Sequence, residues 1–318
     1  MRLTIIIIFL ASLACQKRDV ALLDLENTPA KLELFAPNQV STHLYERDLA
    51  ISPNGDEIIF TVSNYKQNVR GLFSLSKKNG FWEDKKLLPF CGIYQDIEPF
   101  ITPDGQKLFF ASNRPLDSTT SRKDYNIWVS PKSNVGWGNP HPLNGRINLP
   151  GDEFYPSVSQ NGNLYFTATR KDGMGKEDIF ISRYEDGNYT DPIPLGSGVN
   201  SQVYEFNAYI SPNESLLIFS SYGRSEELGG GDLYFSRKNT EGQWTKAQNL
   251  GPDINSKKLD YCPFVDFRNS NFYFTSDRMS EKTAVFSSYE DLENSALQPL
   301  NGMGNIYRIA MSNTALKE

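Results

Sequence analysis

Two carboxylates, Asp48 and Glu98, stand at matching places in two similar stretches, "ERDLAISPNGDEIIFTVSN" from Glu46 and "DIEPFITPDGQKLFFASNR" from Asp96. A pair of neighbouring acids is the equipment of glycoside hydrolysis, in which one protonates the leaving group and the other acts as base or nucleophile. The second stretch also has Asp96 near its start and Arg114 at its end. A carboxylate facing a guanidinium makes strong charge-assisted hydrogen bonds, and it can serve as a site or as a brace. The choice depends on the elements that place these residues.

Three further stretches follow the same pattern: "EFYPSVSQNGNLYFTATR" from Glu153, "EFNAYISPNESLLIFSSYGR" from Glu205 and "DYCPFVDFRNSNFYFTSDR" from Asp260. Taking Ser52, Thr102, Ser159, Ser211 and Asp266 as equivalent points, the spacings are 50, 57, 52 and 55 residues. Each stretch reads as a hairpin with a period of two. Each is followed by a third strand ("GLFSL", "NIWVS", "DIFIS", "DLYFS", "NIYRI") and, in four units, by a short outer segment introduced by an aromatic residue. Four strands in about 50 residues is the arithmetic of a β-propeller blade.

The expected fold is therefore all-β, a five-bladed propeller over residues 30–318. The fifth unit has no fourth strand of its own. "AKLELFAPNQVS" before the first hairpin is expected to supply it, closing the ring and leaving no open sheet edge. The long segment between strands two and three of the fifth unit, about 279–304, contains "SSYEDLENSAL", where a Ser cap and early acids predict a helix from Tyr289 to Leu297.

Across the five units the acids Glu46, Asp96, Glu153, Glu205 and Asp260 are equivalent, and Arg114, Arg170, Arg224 and Arg278 recur at the end of strand two; the first unit has Asn64 there. Asp178 and Asp232 open strand three at the same end. Catalytic acid pairs need environments that push their pKa values apart, and a group repeated around a ring does not differentiate them. The repeated set is thus read as a structural brace. The unrepeated positions are the candidates for ligand contact: Asp48, Glu98, Tyr155 and Asn207, with Tyr209 and Tyr261 beside them and Phe100 and Trp128 as further rings. Aromatic faces there would seat sugars or apolar side chains. The glycine-rich "KDGMGKED", "EELGGGD" and "NGMGN" join strands rather than open helices, so they are read as tight turns with positive φ and not as phosphate cradles.

A net charge of −6 with no basic block gives no footprint for nucleic acid, and two histidines far apart offer little for a metal centre. No cofactor is expected. Cys91 and Cys262 fall in different blades and stand either as small buried hydrophobes or as a bridge. The first residues, "MRLTIIIIFLASLAC", have the layout of an export signal, with one Arg, an apolar run and small residues before Cys15. Residues 1–14 are read as the signal peptide and 15–29 as a linker.

"PFITPDGQKLFFASNR" and "YPSVSQNGNLYFTATRKDGMGKEDIFIS" resemble the WD40-like repeat of TolB-type periplasmic propellers and of stand-alone bacterial envelope lipoproteins. The leader resembles a lipoprotein signal, although Ser12 stands where Leu is usual. What these imply is a monomeric, non-catalytic module of the cell envelope, periplasmic and held to the outer membrane by lipid on Cys15 as its only membrane contact. It would dock a protein, peptide or glycan on the face bearing the loops between strands two and three. The alternative is a carbohydrate-active enzyme using Asp48 and Glu98.

Overall fold

The computed structural model describes residues 23–317 except 118, 120, 121, 145 and 281–285. Among the described residues the chain forms five antiparallel sheets of four or five strands and one two-stranded ribbon, Tyr184–Glu185 with Asn188–Tyr189. Their inner strands are Tyr45–Ile51, Asp96–Ile101, Glu153–Val158, Tyr204–Ile210 and Asp260–Asp266, for blades 1 to 5 in order. Each inner strand packs against the next, and that of blade 5 packs against that of blade 1, so the sheets close as a five-bladed propeller. The N-terminal Glu33–Leu34 pairs with Arg308 and Tyr307 as the outer strand of blade 5. The outer strands of all five blades have two residues each, which keeps the exposed edges too short to recruit another chain.

The apolar residues of each period-two strand fill the layers between blades. Ile58, Phe60, Leu164, Phe166, Ile218 and Phe272 are fully buried there. A helix occupies Tyr289–Ala296 in blade 5, with the Ser288 side chain accepting from the Asp291 amide; none of its residues is buried.

The glycine-rich loops correct one expectation. No glycine in "KDGMGKED" adopts positive φ. Gly175 is there because a Cβ would meet the Ser201 and Val203 carbonyl oxygens at 2.4 Å, and Gly229 because one would meet the Ser256 oxygen at 2.4 Å. These loops lie flat on the segment leading into the next blade, where the Lys176 amide donates to the Val203 carbonyl and the Glu205 amide to that of Glu177. The first of these loops is thus a contact between blades, whereas Gly231 of "EELGGGD" (φ 116°) and Gly302 of "NGMGN" (φ 94°) do take the expected positive φ.

Candidate functional site

Every inner strand carries a bulge at the same place, after Arg47, Ile97, Phe154, Phe206 and Tyr261. The bulged residue takes a left-handed backbone in all five: Asp48 (φ 62°), Glu98 (60°), Tyr155 (49°), Asn207 (50°) and Cys262 (54°). The positions singled out by their lack of repetition are thus one repeated conformation carrying five different side chains. For residues other than Gly this conformation costs roughly 1–2 kcal/mol, and the bulge redirects the side chain toward the ring axis.

These side chains meet there. The Arg47 Nε donates to Asp48 Oδ1 at 2.8 Å and its Nη2 to Glu98 Oε1 at 2.7 Å, while its guanidinium stacks 5.0 Å from the Tyr261 ring centre. The Asn207 Nδ2 reaches the same Glu98 oxygen at 3.4 Å, and the Cys262 thiol donates to Asp48 Oδ1 at 2.6 Å. The Tyr155 hydroxyl donates to the Pro263 carbonyl, and that of Tyr209 to Val265. The Tyr261 hydroxyl bonds to that of Tyr45, which donates to Asp277 at 2.6 Å. Blades 1 to 5 are thereby tied together by one polar plug.

The plug explains why Glu98 has no repeat. Bulging frees a backbone N–H, and a hydroxyl of the preceding blade takes it: Thr61 accepts from the Glu98 amide and Thr167 from the Asn207 amide, each at 3.1 Å. Blade 2 has Ala111 at the corresponding point, so the Tyr155 amide donates instead to Glu98 Oε2 at 2.7 Å. Burial raises the Glu98 carboxyl to about 7, opposed by the Arg47 charge. Burial also drives the Cys262 thiol and the Tyr155 and Tyr261 phenols well above their usual ranges.

All six candidate ligand residues lie within this plug or beneath it. Asp48 is 1% exposed, Glu98 4%, Tyr155 7%, Asn207 5%, Tyr209 5% and Tyr261 3%, and Phe100 and Trp128 are also buried. The candidates for ligand contact are therefore not open to solvent: the five bulges bring them so close to the axis that they fill it. Cys91 and Cys262 are free thiols.

The acid and arginine pairs lie at the outer end of the bulge. Arg224 Nη2 donates to Glu205 Oε1 at 2.8 Å and Arg278 Nη2 to Asp260 Oδ1 at 2.6 Å, Arg170 Nη2 lies 3.1 Å from Glu153 Oε1, and Arg114 pairs with Asp96. Each guanidinium also stands over rings of its own blade, as Arg114 does over Phe110 and Trp128 at 5.3 and 5.2 Å, and caps a carbonyl of the incoming segment, such as Val199 or Ile254. The acids accept amides of that segment, Glu205 from Ser201 at 2.8 Å and Asp260 from Ser256 at 2.5 Å. Asp178 and Asp232 bond elsewhere. Asp178 accepts from the Met174 and Gly175 amides, and Asp232 from the Leu228 amide and Asn249.

A second clasp has a spacing that is legible in the sequence. Five residues before each acid stand Ser41, Cys91, Asn148, Asn200 and Asn255. Asn148, Asn200 and Asn255 each clamp both backbone groups of a third-strand residue in the preceding blade: Ile127, Ile179 and Leu233. Ser41 does the same to Ile306.

Blade 1 lacks the arginine. Its Glu46 accepts from the Thr42 amide at 2.8 Å and from Asn305 at 3.2 Å, and Lys85, 5.2 Å from the Phe60 ring centre, supplies the positive charge acting on it. Burial raises Glu46 to about 7. Where Arg114 stands over Tyr94, Phe110 and Trp128, the matching positions in blade 1 are Leu44, Phe60 and Phe73. Leu44, Val62, Asn64 and Phe73 line an open groove of about 1040 Å³ that continues to Ile93 and to Arg122 and Lys123 of blade 2. Among the described residues no group of three or more His, Cys, Asp and Glu is placed to hold a metal ion.

No family model and no curated protein matches this chain. Solved structures do. The chain is similar to an endo-arabinanase of glycoside hydrolase family 43 from Bacillus licheniformis, with 12% identity over 83% of this chain and 93% of that one and a TM-score of 0.50. It is similar to a putative TolB from Agrobacterium tumefaciens, with 18% identity over 73% of this chain and 70% of that one and a TM-score of 0.47. A TolB from Acinetobacter baumannii matches with 10% identity over 83% of this chain, at a TM-score of 0.48; the matched part is 54%, about half, of that protein's length. These likenesses concern the fold.

Proposed function

We propose that this chain is a non-catalytic binding module of a bacterial cell envelope, a propeller of TolB-type WD40-like repeats tethered to a membrane by lipid on Cys15. Its partner would be an envelope protein, peptide or glycan taken up on the face formed by the loops between strands two and three. The observation carrying this reading is the closed axis. A glycosidase must place two carboxyls against a substrate, but Asp48 and Glu98 share one guanidinium and are almost fully covered.

Cys15 and the leader lie outside the described residues. The first described residues dock on the face opposite those loops. Leu23 and Leu25 are buried, and Asn271 donates to the Leu25 carbonyl, near the hairpin turns at Asn54 and Asn269. Blade 1 strand two, Glu57–Ser63, runs from that turn end to Asn64 at the loop end. Eight residues from Cys15 to Leu23 reach at most about 28 Å, so a lipid on Cys15 would hold the turn face toward the membrane and leave the loop face open to partners.

Two measurements test this. The purified chain, incubated with arabinan and xylan oligosaccharides, is expected to release no reducing ends; release that is abolished by Glu98→Gln would overturn the binding reading. Metabolic labelling with a fatty acid is expected to mark the protein and to fail for Cys15→Ala, and label persisting on that variant would remove the anchor.

A further inference from the structure

We infer that the groove over blades 1 and 2 is a docking site for an acidic, aliphatic-rich peptide segment of a partner protein. This rests on the binding-module reading and narrows its ligand. The groove exists because Asn64 stands where four blades carry an arginine, leaving open over Phe73 and Val62 the space that a guanidinium occupies over its blade elsewhere. Its apolar lining, Leu44, Val62, Val69, Leu87 and Ile93 with the Phe73 and Tyr94 rings, is mostly branched aliphatic, with Ile93 86% exposed. Such a surface fits aliphatic side chains, whereas sugars favour flat aromatic rings.

Charge selects further. Among the described residues the lining holds Arg70, Arg122 and Lys123 and no carboxylate, in a chain whose net charge is −6. Arg122 also touches Asp124 at 3.5 Å, and Arg70 bonds Gln95 and Tyr125, so Lys123, which is exposed, is the cation most available to a ligand. A basic strip beside an aliphatic floor is complementary to a segment that alternates acids with Leu, Ile or Val. About 1040 Å³ is at the upper end for a small-molecule pocket and has room for several residues of an extended peptide.

The test uses fluorescein-labelled octapeptides of two compositions, Glu/Asp with Leu/Ile and Lys/Arg with Leu/Ile, followed by polarisation on the full mature chain. Phosphatidylglycerol vesicles are run in parallel. The acidic peptides are expected to bind, the basic ones not, and binding should weaken as salt rises. Asn64→Arg, which refills the groove, and the double variant Arg122→Glu/Lys123→Glu should each weaken binding tenfold or more, while neither melting temperature falls below that of the parent. Equal binding of both peptides, binding of neither, binding of the vesicles in place of the acidic peptide, or parental affinity in both variants would overturn the assignment. Any of these outcomes without reducing-end release leaves the binding-module reading standing; release that depends on Glu98 removes that reading itself.

Discussion

Blade 1 and blade 4 have the same strands, the same bulge and the same buried acid, yet their outer ends differ in kind. In blade 4 Arg224 joins Glu205, the Val199 carbonyl and the Phe219 and Tyr234 rings, so one side chain closes the space. In blade 1 Asn64 is too short, Lys85 supplies charge from another part of the chain, and an apolar groove stays open beside Phe73. The lesson is that the brace fills as well as pairs. A planar guanidinium stacks on rings while it bonds a carboxylate, and a lysine replaces the charge without replacing the volume.

The largest expected effect strikes the intact blade. Arg224→Ala leaves Glu205 buried and uncompensated and should destabilise by about 3–5 kcal/mol in urea unfolding; a loss below 1 kcal/mol would break the comparison by showing that the clasp is ornamental. Next, Glu98→Ala should lose about 2–3 kcal/mol, because Arg47 keeps Asp48 while the Tyr155 amide is left unpaired. Adding Ala111→Thr, which restores the hydroxyl present in blades 1 and 3, should recover about 1 kcal/mol.

A smaller effect concerns pH. Burial raises Glu46 and Glu98 to about 7 and Glu153 to about 8. The folded protein therefore holds protons that the unfolded chain releases near its ordinary value of 4.5. The stability these three groups contribute is fullest below about 4.5 and declines as pH rises through 7 to 8. Glu46→Gln, which can keep accepting from the Thr42 amide, should flatten this decline by on the order of 1–2 kcal/mol between pH 5 and pH 8. An unchanged slope would place the titration outside blade 1. The smallest effect is expected from Lys85→Ala, below about 1 kcal/mol because the side chain is only partly buried, against the several expected for the arginine of blade 4.

The repeat period, the alternating strands and the displaced outer strand were all legible in the sequence, because each is a local pattern of polar and apolar residues that recurs about every 50 positions. The helix was legible from its cap: a span of 289–297 is expected and Tyr289–Ala296 is observed. The Asn200 and Asn255 clasps, five residues before each acid, share the same spacing, but asparagine also suits a turn, so spacing alone assigns them no partner. Asp48 and Glu98 stood out by failing to repeat, but their role did not follow from that.

The sequence by itself determined the number of blades, the position of each strand and the acid near the start of each inner strand, since these are written in a local pattern and in how often it recurs. Only the tertiary structure decided that Glu98 fills the axis and that Asn64 borders a groove. The first depends on Arg47, Tyr155 and Asn207 arriving from three other blades. The second depends on Ile93, Arg122 and Lys123 facing blade 1 from the side of the neighbouring blade. A side chain's access to solvent is set by what the closed ring places opposite it, and no one unit carries that information.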